Sequence, residues 1–171
     1  MRVGTFFIRV WRVLSVIGLV FALMNSYISY PEEVAVLFNS AGQASQYLDR
    51  EVLFYASVAV FLVTNILINS IARLIPKLPT RQIPVSPVWS NHRDVLNEVL
   101  INWFYALMAS VNTILGLSLM VLSFLNRSNF RVDQYTYGWL LPLSVVMLAS
   151  VIIALPIRLI FMKPSSANEF A

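Results

Sequence analysis

Four long apolar stretches alternate with short polar ones along this chain. Asp, Glu, Lys and Arg are absent from Val13–Pro31, Val52–Ala72, Val99–Asn126 and Gln134–Ile157. Each stretch reaches the roughly 18–20 residues that a ~30 Å hydrocarbon core requires. Lipid offers no partner to backbone N–H and C=O groups, so segments of this kind satisfy themselves as helices. The strict alternation of barrel strands is missing. The pattern predicts an all-α integral membrane protein, a four-transmembrane-helix bundle over 1–171. Its helices fall at about 8–29, 51–73, 91–126 and 136–161, with an outer loop at 30–50 and a cytoplasmic loop at 74–90.

The segments between the runs carry more pattern than simple tethers need. Residues 30–51 read YPEEVAVLFNSAGQASQYLDRE. Pro31 helps to end the first helix, EEVAVLFN contains a strand-like run, and NSAG supplies turn chemistry, with Gly42 suited to a left-handed position. Asp49 stands where it can cap the second helix. The second loop holds Pro76, Pro79, Pro84 and Pro87, so its first half is expected to be extended and not helical. Asn91 and Asp94 have capping-box spacing before the third helix. Pro142 and Pro156 are candidate kink points in the fourth.

Charge fixes the expected orientation. Of the 12 Lys and Arg, only Arg50, Arg127 and Arg131 fall on the outer side. The others, Arg2, Arg9, Arg12, Arg73, Lys77, Arg81, Arg93, Arg158 and Lys163, share the opposite side. The positive-inside rule therefore puts both termini and the second loop in the cytoplasm, and Trp103, Tyr105, Tyr135, Tyr137 and Trp139 fit interfacial belts. The net charge of +4 then follows from membrane topology and does not indicate nucleic acid. The first helix reads as a retained anchor, since no clear small-residue cleavage site follows Ala22.

Candidate chemistry is sparse. No cysteine is present, which excludes disulfides and thiolate sites. The acids avoid the middle of every predicted helix, against proton-coupled transport and intramembrane aspartyl proteolysis. His92 is the sole histidine and does not make a metal site alone. No catalytic, metal-binding or cofactor-binding residue is assigned. The polar positions at depth are Asn65, Asn69 and Asn112, with Ser110, Thr113 and Ser118. They suit either a polar path or, more simply, hydrogen bonds between helices. Ser15, Gly18 and Ala22 form a small-residue stripe for close packing on the first helix. The sequon at Asn126 is too short a pattern to carry weight.

The outer loop resembles a bacterial membrane domain of unknown function that also forms the N-terminal part of SdpI-type immunity proteins. Pro31, Val34, Phe38, Asn39, Gly42 and Tyr47 match the pattern of that loop. Ile83, Pro84, Val85 and Asn91 match its cytoplasmic stretch. The resemblance spans about residues 10–125, and it departs at Leu37, where relatives carry His, and at Ala35, where they carry Pro. It implies a bacterial inner-membrane protein. The expected function is non-catalytic recognition of a peptide or envelope component. Pro31, Phe38, Asn39, Gly42 and Tyr47 are the outer recognition residues, and Pro84 and Asn91 the cytoplasmic ones. An accessory subunit of a larger membrane complex is the second expectation and a small-solute transporter using Asn65, Asn69 and Asn112 the third. The expected partners are the bilayer and a protein partner or a second copy.

Overall fold

The computed structural model describes residues 3–39, 43–79, 82–83, 85–127 and 137–161. Helix α1 (Val3–Ser29) leads into a hairpin of β1 (Glu33–Phe38) and β2 (Ala44–Asp49), then α2 (Arg50–Leu74) and a 3-10 turn (Ile75–Lys77). A single helical turn, α3 (Pro87–Ser90), precedes the long α4 (Arg93–Arg127), and α5 (Leu140–Phe161) follows. Helices α1, α2 with its 3-10 turn, α4 and α5 are each long and apolar enough to cross a membrane. That is the signature of a multi-pass membrane protein.

Helix α4 is the axle of the bundle. Its 35 residues extend about 50 Å at ~1.5 Å per residue, so it outruns a ~30 Å hydrocarbon core at its ends. Buried residues make up 39% of its most apolar span, against 6% for α5. The cross-helix bonds give the directions. Thr5 meets Glu98, and Tyr30 meets Leu119, so α1 runs parallel to α4. Trp103 reaches Val151 and Trp89 reaches Leu159, so α5 runs antiparallel. The α1 N-terminus, the 3-10 turn and the end of α5 thus share one end of the bundle, with Arg9, Arg12, Arg73, Lys77, Arg93 and Arg158. The hairpin occupies the other end.

Two cores lie along the axle. Near the hairpin, Leu19, Ala22, Leu23 and Leu119 are packed by Phe54, Val58, Phe61, Leu115 and Met120. Near the basic end, Ile75, Trp89, Leu96, Val99 and Leu100 form the second core. Helices gain little from mutual apolar burial in lipid, so close approach through small residues decides how they pack. Gly116 provides that approach: a Cβ built there stands 3.6 Å from the Leu19 Cα and 3.9 Å from the Ala22 Cβ. The small stripe on α1 is therefore only partly used. Ser15 and Ala22 are buried, whereas Gly18 has open space beside it. The face that meets α4 is Ser15, Leu19, Ala22 and Ser26, one helical phase away from Gly18.

Several local expectations are revised. Asp49 occupies the α2 N-cap position, but its side chain makes no capping bond. The expected Asn91 box is displaced: the His92 carbonyl accepts the Leu96 N–H at 3.0 Å, and the helix begins at Arg93. His92 itself bonds through Nδ1 to the Val88 carbonyl at 3.0 Å, which makes it part of the α3–α4 corner. Pro142 sits in the first turn of α5, where no helical N–H is required, and Pro156 is inside the helix. The hairpin's second strand went unread because its residues are exposed along nearly their whole length.

Candidate functional site

Among the described residues one α4 side chain, Asn126, bonds the main chain of the hairpin. Asn126 Oδ1 accepts the Ala35 N–H at 2.8 Å, and Asn126 Nδ2 donates to the Ala35 carbonyl at 3.1 Å. A second bond from Nδ2 to the Leu122 carbonyl, 2.9 Å, fixes the amide on its own helix. The side chain thus behaves as a third strand one residue long, consuming both outward main-chain groups of Ala35. Val34, fully buried, and Ala35 complete the seat.

The base of the hairpin is fastened separately. Tyr30 is buried and donates its hydroxyl to the Leu119 carbonyl at 2.8 Å. Burial pushes its phenol well above the ordinary value, so it remains a donor. The Arg50 N–H bonds the Glu32 carbonyl at 2.9 Å, its guanidinium bonds the Tyr30 carbonyl at 3.3 Å, and the same group lies 5.3 Å from the Tyr27 ring centroid. Arg127 closes the adjoining edge by donating to Asn25 and Ser29 on α1.

The tip is shaped by Asn39. Its backbone N–H donates to the Gln43 carbonyl at 2.8 Å, and its Oδ1 accepts the Gln43 N–H at 2.9 Å. Of the expected recognition residues, Asn39 therefore closes the turn, Phe38 is half-buried, and Pro31 and Tyr47 are exposed. Gly42 and Pro84 lie outside the described residues. Asn91 is exposed at the α3–α4 corner, far along α4 from the hairpin.

Register determines what the hairpin offers. Glu33 pairs with Asp49, Val34 with Leu48 and Ala35 with Tyr47; irregularities follow on either side of Leu37. Ala35 turns its main-chain groups away from β2 toward Asn126, so its partner Tyr47 turns its own away from β1. Leu37 and Tyr47 are both more than half exposed. Among the described residues nothing pairs with the outer edge of β2, where Tyr47 presents its main-chain donor and acceptor beside its exposed ring. Around the base Glu32, Glu33, Asp49 and Glu51 are exposed.

The polar residues at depth are brought together selectively. Asn65 Nδ2 donates to Asn112 Oδ1 at 2.8 Å, and Asn112 Nδ2 returns a bond to Asn65 Oδ1 at 3.0 Å. Asn65 also donates to the Phe61 carbonyl at 2.8 Å. Asn112 is 1% exposed, so this closed amide pair seals the α2–α4 contact. Asn69 is half-buried and does not join it. Ser110 and Thr113 bond back to their own helix, and Thr113 also accepts the Trp11 indole N–H at 3.2 Å. Nearer the basic end Thr5 donates to Glu98 at 2.7 Å and accepts from Asn102 at 3.0 Å. Among the described residues no cluster of three His, Asp or Glu side chains suited to a metal ion occurs.

Replacing Asn112 by Leu leaves Asn65 without its cross-helix partner. Thermal unfolding in detergent should show a loss of about 0.6–2 kcal/mol. The Asn65→Leu, Asn112→Leu double variant should be less destabilised than the sum of the single variants. Additive losses would show that the pair is not a unit.

Asn126 is the site residue that sequence reading missed. Its local signals were a weak sequon and its place at the end of the charge-free run, and the loop it bonds lies more than ninety residues away in the chain. Comparisons with family models, with curated proteins and with solved structures find no match in any of the three.

Proposed function

We propose that this chain is a non-catalytic receptor- or immunity-like protein of a bacterial inner membrane, with both termini cytoplasmic and the hairpin outside. The hairpin recognises an extended peptide or an envelope component along β2. The observation that carries this reading is the Asn126–Ala35 bond pair. It makes a small two-stranded hairpin, marginal in isolation, into a fixed platform, and among the described residues leaves the other edge and Tyr47 open. Addition of an extended segment to a free sheet edge is a recurring recognition mode. The acidic base, with Arg50 folded inward over Tyr27, favours a basic peptide.

The orientation is supported by the gathering of Arg9, Arg12, Arg73, Lys77, Arg93 and Arg158 at the end opposite the hairpin. The likeness of the loop to SdpI-type proteins is a further support, and Leu37 in place of their His implies recognition without that imidazole. The cytoplasmic corner at Asn91 is joined to the hairpin by the single rigid α4, a direct mechanical link for reporting occupancy.

An accessory subunit in a larger complex is the second reading. It is favoured by α5, which packs on α4 and leaves most of its apolar surface outward. Transport of a small solute is the least supported, because Asn65 and Asn112 satisfy each other and do not line an open path. The recognition reading is tested with a photoreactive residue at position 47 in the natively expressed protein. It predicts adducts with a component outside the membrane, and their absence under conditions where the protein is present would contradict it.

A further inference from the structure

Helices α1 and α5 both pack on α4 but leave a groove between them near the basic end. It has a volume of about 310 Å³ and is lined by Ile8, Val99, Trp103, Val151, Leu155 and Arg158, among others. The polar groups within it are already engaged. Trp103 donates to the Val151 carbonyl at 2.6 Å, Asn102 to Thr5, and Ser150 to the Met147 carbonyl at 2.8 Å. Arg158 is different: its guanidinium makes no hydrogen bond or ion pair with another described residue. On the other flank of α5 a second, shallower depression of about 520 Å³ is lined by Ile153 and Ile157. The two hollows share Ser150, Ala154 and Arg158. Ser150 and Ala154, one turn apart, form a low ridge between them, and Arg158 stands at the end of both.

We infer that this surface is a binding site for one anionic two-chain phospholipid. The phosphate lies on Arg158, and the two acyl chains straddle the Ser150–Ala154 ridge, one in each hollow. A single guanidinium, unpaired among the described residues, at the end of two adjoining apolar hollows matches one charged headgroup carrying two tails. Guanidinium is suited to phosphate oxygens by its planar fork of donors. Its level is also right, since Arg158 lies within the last turn of a membrane-length helix, where long basic side chains reach the interface. The inference rests on the orientation proposed above only in naming the cytoplasmic leaflet as the source, where anionic lipids concentrate.

The test reconstitutes the purified full chain in phosphatidylcholine vesicles with a fixed fraction of dibrominated phosphatidylglycerol or dibrominated phosphatidylcholine, and reads tryptophan quenching. Trp103 lines the groove, so an occupied site quenches it. The expected result is a roughly fivefold preference for phosphatidylglycerol, the scale of one basic residue at a membrane surface. Arg158→Gln should remove the preference, while Arg73→Gln, a basic residue of the same end on α2, should leave it. Ala154→Phe, which fills the ridge and keeps the charge, should also remove it. Equal quenching by the two headgroups in the unmodified protein would overturn the inference. So would a preference that survives Arg158→Gln or Ala154→Phe, or falls equally with Arg73→Gln. No hairpin ligand is present in the assay, so its outcome is separable from that of the recognition reading.

Discussion

Replacing Asn126 with Ala should release the hairpin from α4 while leaving the four long helices in place. Two buried main-chain groups of Ala35 lose their partners together. Each unsatisfied buried group costs about 1–3 kcal/mol, so the seat should loosen by a comparable amount, and no other side chain bonds Ala35 from α4. Hydrogen exchange of the protein in lipid nanodiscs provides the measurement. The Ala35 amide, protected in the unmodified chain, should exchange on the order of tenfold to a hundredfold faster, with every 1.4 kcal/mol worth a factor of ten. Amides of α2 and of the middle of α4 should keep their rates. Asn126→Asp separates the two halves of the contact: its carboxylate still accepts the Ala35 N–H but cannot donate to the Ala35 carbonyl. It should therefore fall between Asn and Ala. Unchanged exchange at Ala35 in the Ala variant would show that Val34 and the Tyr30 anchor hold the hairpin without the amide.

Gly116→Leu should cause the largest loss of bundle stability, on the order of 1–3 kcal/mol from overpacking. The first carbon is tolerated, since its nearest neighbour is the Leu19 Cα at 3.6 Å, an ordinary contact distance. Gly116→Ala should therefore be nearly neutral, helped by the better helix propensity of alanine. A branched side chain has nowhere to go, because the Leu19 backbone and Ala22 face the same point and backbone does not rotate aside. Helix α1 would have to move out, disturbing the bond from Tyr30 to the Leu119 carbonyl at the hairpin end. Gly18→Leu is the internal control. It adds the same bulk to the facing helix where the structure has open space, and should leave thermal stability nearly unchanged. If Gly18→Leu proved the worse of the two, the α1–α4 interface would have to be rotated by about one helical phase.

These cases show what could be read from the sequence. The four long helices were legible because lipid enforces them: a charge-free run of sufficient length has few alternatives. The strand in EEVAVLFN was legible through its apolar residues, and two of them, Val34 and Ala35, do become buried. Its partner was not, since ASQYLD carries no one-faced pattern and has no buried face to impose one. Helix phase was the next limit. Ser15, Gly18 and Ala22 look like one small face, yet a rotation of one residue, about 100°, decides that Leu19, not Gly18, meets Gly116. Long-range amide contacts were beyond reach in a single chain. Asn65 and Asn112 were recognised as polar groups at depth, but Asn69 had an equal claim until the packing selected one of them. Asn126 carried only a weak sequon, while its bonds to Ala35 and Leu122 occupy the amide nitrogen that glycosylation uses.

The central claim, recognition through the hairpin edge, is tested most directly by comparing photocrosslinking from position 47 with that from position 63 in living cells. Val63 is an exposed apolar residue of α2 and reports what surrounds the helices within the membrane. The account predicts a discrete peptide or envelope adduct at position 47, sharply reduced by Asn126→Ala, with only lipid at position 63. A membrane-protein adduct at position 63, with none at position 47, would contradict it and make the chain a subunit of a larger assembly.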